Sequence, residues 1–210
     1  EVTEKSDTSV TFRARDNAET LKNYPYPFEV RLTFSLQDRT LTTRTEIVNR
    51  GERVMPFALG LHPGFSLPFA GGTIGDYTVR FEGATGILQR LNFDEGECFP
   101  TGGSRDFPLR DGEFFDPTDD FFEAGSAFFC EMPRSVMLEK RETDRRIAMN
   151  FPDFRYFGLW KVPGARFLCM EPWTSLPALH GVVTELTEKP DLIRLAAGKQ
   201  KSLLCTVTFC

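Results

Sequence analysis

The most informative residue of the chain is His62, one of two histidines, which lies in the apolar run at residues 55–65. Imidazole is the side chain best matched to proton transfer near neutral pH, and it is costly to bury without a partner. Gly60 and Gly64 leave little bulk around it, so a ligand or another backbone segment could come close. Pro63 lacks an amide donor, which predicts that a regular strand ends there. Two interpretations stay open: a proton-transfer group, or a core histidine hydrogen-bonded to a carbonyl.

A second unusual stretch is Cys169-Met170-Glu171-Pro172-Trp173. A carboxylate is expected to end an apolar strand here, followed by a proline that stops the pairing and by one of two tryptophans. Burial beside apolar groups would raise the pKa of Glu171, and a nearby donor would lower it. A carboxylate beside an indole also suits carbohydrate, because sugar C–H faces pack on aromatic rings while carboxylates accept hydroxyl hydrogens. The alternative is a structural glutamate that bonds to loop amides.

His62 and Glu171 are far apart in sequence, but both are expected just past the ends of apolar strands. In a β-sandwich, such positions can meet over one face of a sheet. A histidine and a glutamate that face each other could act as general acid and general base, each supplying about 10²–10⁴-fold. The spacing therefore suggests an acid–base pair as a hypothesis.

Other polar residues give weaker signals. His180 is expected in a loop, as a solvated histidine. Asp116, Asp119 and Asp120 form an acidic loop that could bind hydroxyls, although such loops are usually only solvated. With two histidines and no clustered ligands, we expect no dedicated metal site. A glycine-rich phosphate loop and a nucleophile elbow are both missing from the sequence.

The elements that must position these residues are strands. Apolar and polar residues alternate with a period of two in many short runs, separated by turn residues about every ten positions. The expected strands lie at residues 9–15, 28–36, 40–49, 77–81, 135–140, 146–151, 157–161, 167–171 and 202–209. Helical turns are expected at 17–23 and 118–124, and only short strands fit within 92–120. The pattern predicts an all-β, antiparallel sandwich that forms one domain over residues 1–210.

Composition is that of an ordinary globular protein, with 40% hydrophobic and 26% charged residues among 210. The 21 phenylalanines suit the inner faces of packed sheets. A net charge of −5 without a long basic run makes nucleic acid an unexpected partner. The longest uncharged run, 54–75, is broken by prolines, glycines and His62, so we expect no membrane span.

Five cysteines at wide spacings form no CxxC pair. An odd count of this kind favours free thiols over a disulfide framework or a zinc site, and hence a reducing compartment such as the cytoplasm. The chain opens with Glu1, already inside a strand-like run. The sequence therefore looks like a piece of something longer.

Four motifs occur in a familiar order: residues 26–32 (YPFEVRL), 56–65 (PFALGLHPGF), 160–161 (WK) and 169–173 (CMEPW). Together they resemble the aldose 1-epimerase (galactose mutarotase-like) family, nearest to its bacterial LacX-like branch. The similarity runs over about residues 10–209. Each motif alone is moderately specific, and the ordered set is more so.

The resemblance implies a large antiparallel β-supersandwich, truncated here at its N-terminus. It also implies an enzyme that interconverts the α and β anomers of a free hexose without a cofactor. His62 resembles the family's acid, which protonates the ring oxygen, and Glu171 resembles the base that deprotonates the C1 hydroxyl. Asp119 would match the sugar-binding aspartate. Trp160 and Trp173 would be aromatic walls of the cleft.

The chain departs from the family pattern at its start. Family members carry an earlier segment with another histidine and an arginine that hold the sugar, and this sequence begins after that point. Either the remainder lies elsewhere, or this part of the site has been lost. A sandwich without its first strands would expose an unpaired edge and apolar surface, which makes a homodimer an expectation.

Three alternatives to a free-sugar epimerase stay open. A hexose-6-phosphate epimerase of the same superfamily would need arginines at the cleft, for which Arg44, Arg50, Arg53 and Arg90 are available. A carbohydrate-binding or sugar-sensing protein would keep the cleft without needing an acid–base pair. An interaction protein would use the same surface for a partner and bind no sugar.

Overall fold

Runs of alternating apolar and polar residues form the strands of the computed structural model, which describes residues 1–94, 99–123 and 125–210. In chain order the strands among these residues are β1 (Val2–Lys5), β2 (Ser9–Arg15), β3 (Phe28–Gln37), β4 (Thr40–Asn49), β5 (Met55–Phe57), β6 (Gly64–Ser66), β7 (Tyr77–Arg80), β8 (Ile87–Phe93), β9 (Pro100–Pro108), β10 (Phe114–Phe115), β11 (Ala127–Cys130), β12 (Ser135–Lys140), β13 (Arg146–Asn150), β14 (Tyr156–Trp160), β15 (Phe167–Trp173), β16 (Ile193–Leu195) and β17 (Gln200–Phe209). Helical structure in the same residues is limited to α1 (Thr20–Asn23), a 3₁₀ turn (Ile74–Asp76) and α2 (Asp119–Phe122).

These strands form two large sheets and a small one. The larger sheet has the order β1-β2-β3-β4-β17-β13-β12-β7-β10, the second has the order β6-β15-β14-β11-β8-β9, and β16 pairs with β5. Every strand pairing between named strands is antiparallel, as in β3 and β4, which meet through a two-residue turn at Asp38 and Arg39. The predicted all-β antiparallel fold is confirmed.

Buried apolar side chains from both large sheets form one contiguous cluster. Phenylalanine is prominent in it: the rings of Phe81 and Phe129 lie 5.5 Å apart, and Phe157 stacks on Phe151 at 4.9 Å. Such ring pairs contribute about 0.5–1.5 kcal/mol beyond the area that they bury. The cluster holds the two sheets together. Side chains on the opposite face of each sheet are not needed for this core and can form a binding or catalytic site.

The largest difference from the expected strands is β9. Only short strands were expected within residues 92–120, yet β9 runs over nine residues and pairs with β8. It is the outer strand of its sheet and most of its residues are exposed. An edge strand with little buried surface needs no apolar alternation, so the sequence pattern carries no sign of it. Of the expected helical turn at 118–124, α2 covers four residues, and Ala124 lies outside the described residues.

Two prolines act differently from the expectation. Pro63 directly precedes β6 instead of ending a strand, and Pro172 lies inside β15 instead of stopping it. The Pro172 carbonyl accepts a hydrogen bond from the amide of Leu61. Because the N and O atoms of one antiparallel strand residue point to the same side, the missing donor of Pro172 faces the connection before β6, and pairing with β14 loses nothing.

The four cysteines that the structure describes, Cys130, Cys169, Cys205 and Cys210, are free thiols. The fifth, Cys98, lies outside the described residues. In the described part of the chain, no helix has both the length and the apolar character needed to cross a bilayer.

Candidate active site

The segment that carries His62 runs alongside β15 as an irregular extension of β6. Two backbone hydrogen bonds flank His62 on its two sides. They run from the Leu61 amide to the Pro172 carbonyl (3.0 Å) and from the Met170 amide to the Pro63 carbonyl (3.1 Å). Antiparallel register between these bonds places His62 opposite Glu171. The two residues therefore face each other as a cross-strand pair, and Glu171 lies in the interior of β15, not at its end.

Two glycines on the same face make room for this pair. Gly60 pairs with Trp173 and Gly64 pairs with Cys169, two positions before and after His62. A Cβ on Gly60 would lie 3.0 Å from the indole Cδ1, which is tighter than a normal contact, whereas a Cβ on Gly64 would lie 3.5 Å from the thiol. A side chain at Gly60 would therefore press on the indole, whereas a methyl group at Gly64 would make an ordinary contact.

The imidazole and the carboxylate are close but not hydrogen-bonded. His62 Nε2 lies 3.1 Å from Glu171 Oε1, with the histidine side chain 56% exposed and the glutamate side chain 3% exposed. The atoms are not aligned for a hydrogen bond, and Oε1 is buried with no hydrogen-bond partner among the described groups. An unsatisfied buried acceptor costs about 1–3 kcal/mol, so this oxygen is not in the arrangement expected of a purely structural glutamate.

Burial controls the electrostatics of the pair. It raises the pKa of Glu171 to about 7, against a smaller opposing effect of His62. Burial, with a contribution from Glu171, also raises the pKa of the Cys169 thiol to about 11. Near neutral pH, the Glu171 carboxyl is therefore present in both its protonated and its ionised form.

Both tryptophans that the sequence predicted for the site lie beside the pair. The Trp160 ring is 5.8 Å from the imidazole ring, edge-on at 74°, and 5.6 Å from the Phe167 ring. Trp173 lies on the same face of β15 as Glu171, two residues further along. The structure thus brings His62, Glu171, Trp160 and Trp173 together on one face of the six-stranded sheet.

Phe128 was not among the residues predicted for the site, yet its ring lies 4.3 Å from that of Trp173. Phe128 pairs with Gly158, which in turn pairs with Glu171. A Cβ on Gly158 would lie 2.5 Å from the Phe128 ring, so only glycine fits there. The glycine inside the apolar run 156–160 was the available signal, because an isolated glycine in a strand often marks a close approach.

Asp119 lies in other surroundings. Its carboxylate binds the Lys161 ammonium and accepts a hydrogen bond from the Gly164 amide (3.1 Å). Lys161 is buried, and it holds the pKa of Asp119 below its ordinary value, with help from the Gly164 amide. The described bonds of Asp119 do not extend to the His62–Glu171 pair.

The contacts described for the other polar candidates also do not involve the His62–Glu171 pair. His180 is a loop residue, but its ring pairs with Asp94 at 2.8 Å and is not simply solvated. Asp116 binds the Thr78 hydroxyl (3.0 Å) and the guanidinium groups of Arg110 and Arg141.

The four arginines considered for phosphate binding lie in different places. Arg44 is on β4 of the larger sheet, within 3.5 Å of the Ser202 hydroxyl. Arg53 donates to the Pro25 carbonyl, and Arg90, on β8 of the other sheet, lies over a phenylalanine ring. Arg50 lies in the turn after β4 and is exposed. These contacts give no support for a phosphate site.

Chemically, the face can do two things. The imidazole and the carboxylate can donate and accept protons at adjacent atoms of one ligand, with aromatic rings on either side. With the Cys169 thiol they also form a group of metal-ligand types, since one ligand atom from each of the three residues lies within 4.8 Å of the others. The expectation that the chain has no clustered ligands was therefore wrong, because cross-strand register brings Cys169 and Glu171 opposite the His62 segment.

Comparison with known proteins agrees with the fold and with the sequence motifs. A family model described as "Aldose 1-epimerase" matches residues 1–180. The LacX proteins of Lactococcus lactis subsp. lactis, from plasmid and chromosome, are each 28% identical over 196 residues, or 91% of this chain. The chain spans 65% of their length.

Solved structures give the same result. A galactose mutarotase-like protein from Lactobacillus casei is 30% identical, with a TM-score of 0.89 over all of this chain and 72% of its own. A galactose mutarotase related enzyme from Lactobacillus acidophilus has a TM-score of 0.90 at 23% identity, over all of this chain and 70% of its own. At that lower identity the second likeness supports the fold alone.

Proposed function

The chain belongs to the aldose 1-epimerase family, and we propose that it interconverts the α and β anomers of a free hexose, with His62 as the general acid and Glu171 as the general base. The reaction opens the pyranose to the aldehyde and closes it again on the other face of C1.

The observation that carries this proposal is the 3.1 Å separation of His62 Nε2 and Glu171 Oε1. The ring oxygen and the C1 hydroxyl of an aldose are both bonded to C1, so a catalyst must reach two neighbouring oxygens at once. Two groups side by side on facing strands match that requirement. The buried, unpartnered Oε1 supports the assignment of Glu171 as the group that accepts a proton.

In the proposed ring opening, the His62 imidazolium donates its proton to the ring oxygen while the Glu171 carboxylate removes the proton of the C1 hydroxyl. The bond between C1 and the ring oxygen breaks, and C1 becomes an aldehyde carbon. After rotation about C1–C2, the freed hydroxyl attacks the other face of the aldehyde. It returns its proton to His62, and Glu171 returns its own to the carbonyl oxygen.

The burial of Glu171 suits this role. A carboxylate with a pKa of about 7 is a stronger base than an ordinary one. The step moves protons only, so the proposed reaction requires no redox or group-carrying cofactor. Trp160 and Trp173 are proposed to pack against the C–H faces of the sugar on the two sides of the pair.

Polarimetry of freshly dissolved α-glucose or α-galactose tests the assignment. We expect the protein to accelerate the change in rotation, and His62→Asn and Glu171→Gln each to lower kcat by about 10²–10⁴-fold, because each removes one partner of the proton transfer. The double variant should lose little more than either single one, since the two groups act as a unit.

His180→Asn is the matched control, because it removes the other histidine of the chain and should leave the rate unchanged. Full acceleration by both His62→Asn and Glu171→Gln would refute the assignment. Calorimetric binding of the sugar without anomer exchange would instead indicate a sugar-binding protein.

We retain Asp119 as a proposed substrate-binding group through its carboxylate. If it binds a sugar hydroxyl, Asp119→Asn should raise KM while kcat changes little, because a uniform binding contact is lost. Asp120→Asn, on the same short helix, is the control. A Tm that falls in Asp119→Asn at unchanged KM would show that Asp119 serves only to balance Lys161.

A further inference from the structure

We propose that His62, Cys169 and Glu171 form a binding site for a zinc ion, which would occupy the same face as the sugar and switch the acid–base pair off. The candidate ligand atoms are one imidazole nitrogen, the thiol sulfur and one carboxylate oxygen, all within 4.8 Å of one another. In the described part of the chain, this is the one group of three or more such residues in that geometry.

The donor set is one that zinc prefers. Zinc binds cysteine sulfur at about 2.3 Å, histidine nitrogen at about 2.0–2.1 Å and carboxylate oxygen at about 2.0–2.2 Å, and sites with three protein ligands keep the fourth position open. Bonds of these lengths hold ligand atoms within about 4.4 Å of one another. The three atoms lie within 4.8 Å of one another, so a small rotation of the side chains would close them around the ion. A thiolate also favours zinc over magnesium and calcium, which prefer oxygen.

An independent observation supports a cation at this point. Oε1 of Glu171 is buried, has no hydrogen-bond partner among the described protein groups, and is the atom that faces His62 Nε2 at 3.1 Å. A metal ion would satisfy this oxygen, and in the same position the imidazole nitrogen and the sulfur would complete three bonds. The pair needs no rearrangement of the sheet for this, because Cys169 and Glu171 are fixed on β15 with the same side-chain direction.

The ion would enter from the side of the imidazole. The His62 side chain is 56% exposed, whereas Cys169 and Glu171 are buried, and Gly64 opposite Cys169 adds no side chain over the thiol. The thiol must lose its proton to solvent as the sulfur–zinc bond forms. Neither oxidation nor reduction is involved.

Zinc binding does not depend on the proposed epimerase activity. Only the inhibition of anomer exchange by zinc rests on that proposed function. With zinc on Nε2, His62 could not donate a proton, and with zinc on Oε1, Glu171 could not accept one. Zinc should therefore inhibit anomer exchange reversibly, and a chelator should restore it.

Cobalt(II) provides a readout that is independent of activity, because a thiolate bound to cobalt gives a charge-transfer absorption that oxygen and nitrogen ligands do not give. Protein freed of metal with a chelator is titrated with cobalt chloride in the absence of sugar. We expect a charge-transfer band that zinc chloride bleaches by displacing cobalt. Cys169→Ser should abolish the band, and Cys130→Ser, at a half-buried cysteine outside the group, should keep it.

Isothermal titration with zinc chloride measures the affinity. His62→Asn, a change at an exposed position that should not disturb folding, is expected to weaken binding at least about 10–100-fold, since the loss of even an outer partner of a metal ligand costs that much. The proposal fails if the protein gives no band, if Cys169→Ser retains it, if Cys130→Ser loses it, or if His62→Asn binds zinc as tightly as the unchanged protein. Each of these results leaves the polarimetric test unaffected.

Discussion

Glu171 combines two properties that rarely occur together: near-complete burial and an oxygen without a hydrogen-bond partner. A hydrophobic residue at this position would stabilise the sheet. A glutamate that accepted hydrogen bonds from loop amides would at least not lower the free energy of unfolding. Retaining a carboxylate in this environment raises its pKa to about 7 and keeps it reactive. At this residue, stability and the proposed proton transfer therefore favour different side chains.

This opposition can be measured as a pH dependence of stability. The pKa of Glu171 is about 7 when folded and has an ordinary value of 4.5, so between these values the folded protein holds a proton that the unfolded chain has released. Stability contributed by Glu171 therefore falls as pH rises from about 4.5 to 7. Since one pKa unit corresponds to about 1.4 kcal/mol, the change is at most on the order of 3 kcal/mol.

Glu171→Gln cannot ionise, so its free energy of unfolding relative to the unchanged protein should rise across that window and level off above it. Urea denaturation of both proteins at pH 4.5, 6 and 8 measures the difference. Parallel stability curves would show that the pKa of Glu171 is close to its ordinary value. Glu46→Gln, at a half-buried position on β4 of the larger sheet, provides the control.

The residues with unusual chemistry could be nominated from the sequence. His62, Glu171 and both tryptophans are rare or misplaced types in apolar runs, and the structure brings these four together. Cys169 as a possible ligand and Phe128 as a neighbour of Trp173 could not be found in this way. Their relevance depends on which residues stand opposite each other, and a cross-strand register is not visible in one strand alone.

At the scale of the element, the site depends on the register between β15 and the connection before β6. Gly60 and Gly64 flank His62 on the same face. Only Gly60 lies directly against a large side chain, the Trp173 indole. Neither needs a left-handed backbone, so an alanine at either position tests space alone.

Gly60→Ala should push the connection or the Trp173 indole aside, because the added Cβ would lie 3.0 Å from Cδ1. A displacement of about 1 Å in a reacting group can cost about 10²-fold, so we expect a loss of up to that size in kcat/KM. Gly64→Ala makes only an ordinary contact of 3.5 Å with the Cys169 thiol and should lose far less. Equal losses in the two variants would show that the indole does not position His62.

Strands with a buried face were predictable, whereas strands and turns set by hydrogen bonding alone were not. The β3–β4 hairpin follows the alternating pattern nearly to the observed ends of both strands. In contrast, β9 has little apolar alternation, and β15 continues through Pro172. In both cases the backbone forms hydrogen bonds with neighbouring strands, and the local amino-acid composition does not predict such bonds.

On the scale of the whole molecule, we propose that residues 1–210 fold as one domain. The basis is the contiguous cluster of buried side chains drawn from both large sheets. Both tryptophans lie on or at the ends of β14 and β15, so their fluorescence reports on the six-stranded sheet, whereas circular dichroism reports on both sheets.

Unfolding followed by the two signals should therefore give coincident transitions. Phe157→Ala removes a fully buried ring from the cluster and should shift both transitions together, by about 3–5 kcal/mol. Phe12→Ala, at a position 42% exposed on β2, should shift them little. Separate transitions for the two signals would show that the sheets unfold as independent units.

The fold class was predictable because the alternating pattern recurs along most of the chain and leaves few helical alternatives. The distribution of strands between two sheets was not, since β17 inserts between β4 and β13 and joins the two ends of the chain in one sheet. Such long-range pairing depends on the complementarity of whole faces.

The two members of the proposed pair are held by unlike parts of the molecule. Glu171 lies inside β15, which has paired neighbours on both sides, whereas His62 lies on the irregular connection between β5 and β6. Hydrogen bonds through Leu59, Leu61 and Pro63 hold that connection against residues 170–174. Substitutions at residues 58–63 can therefore change or replace the proposed proton donor without altering a regular strand. During evolution we therefore expect changes in the chemistry of this site to arise first in that connection, while Glu171 is retained.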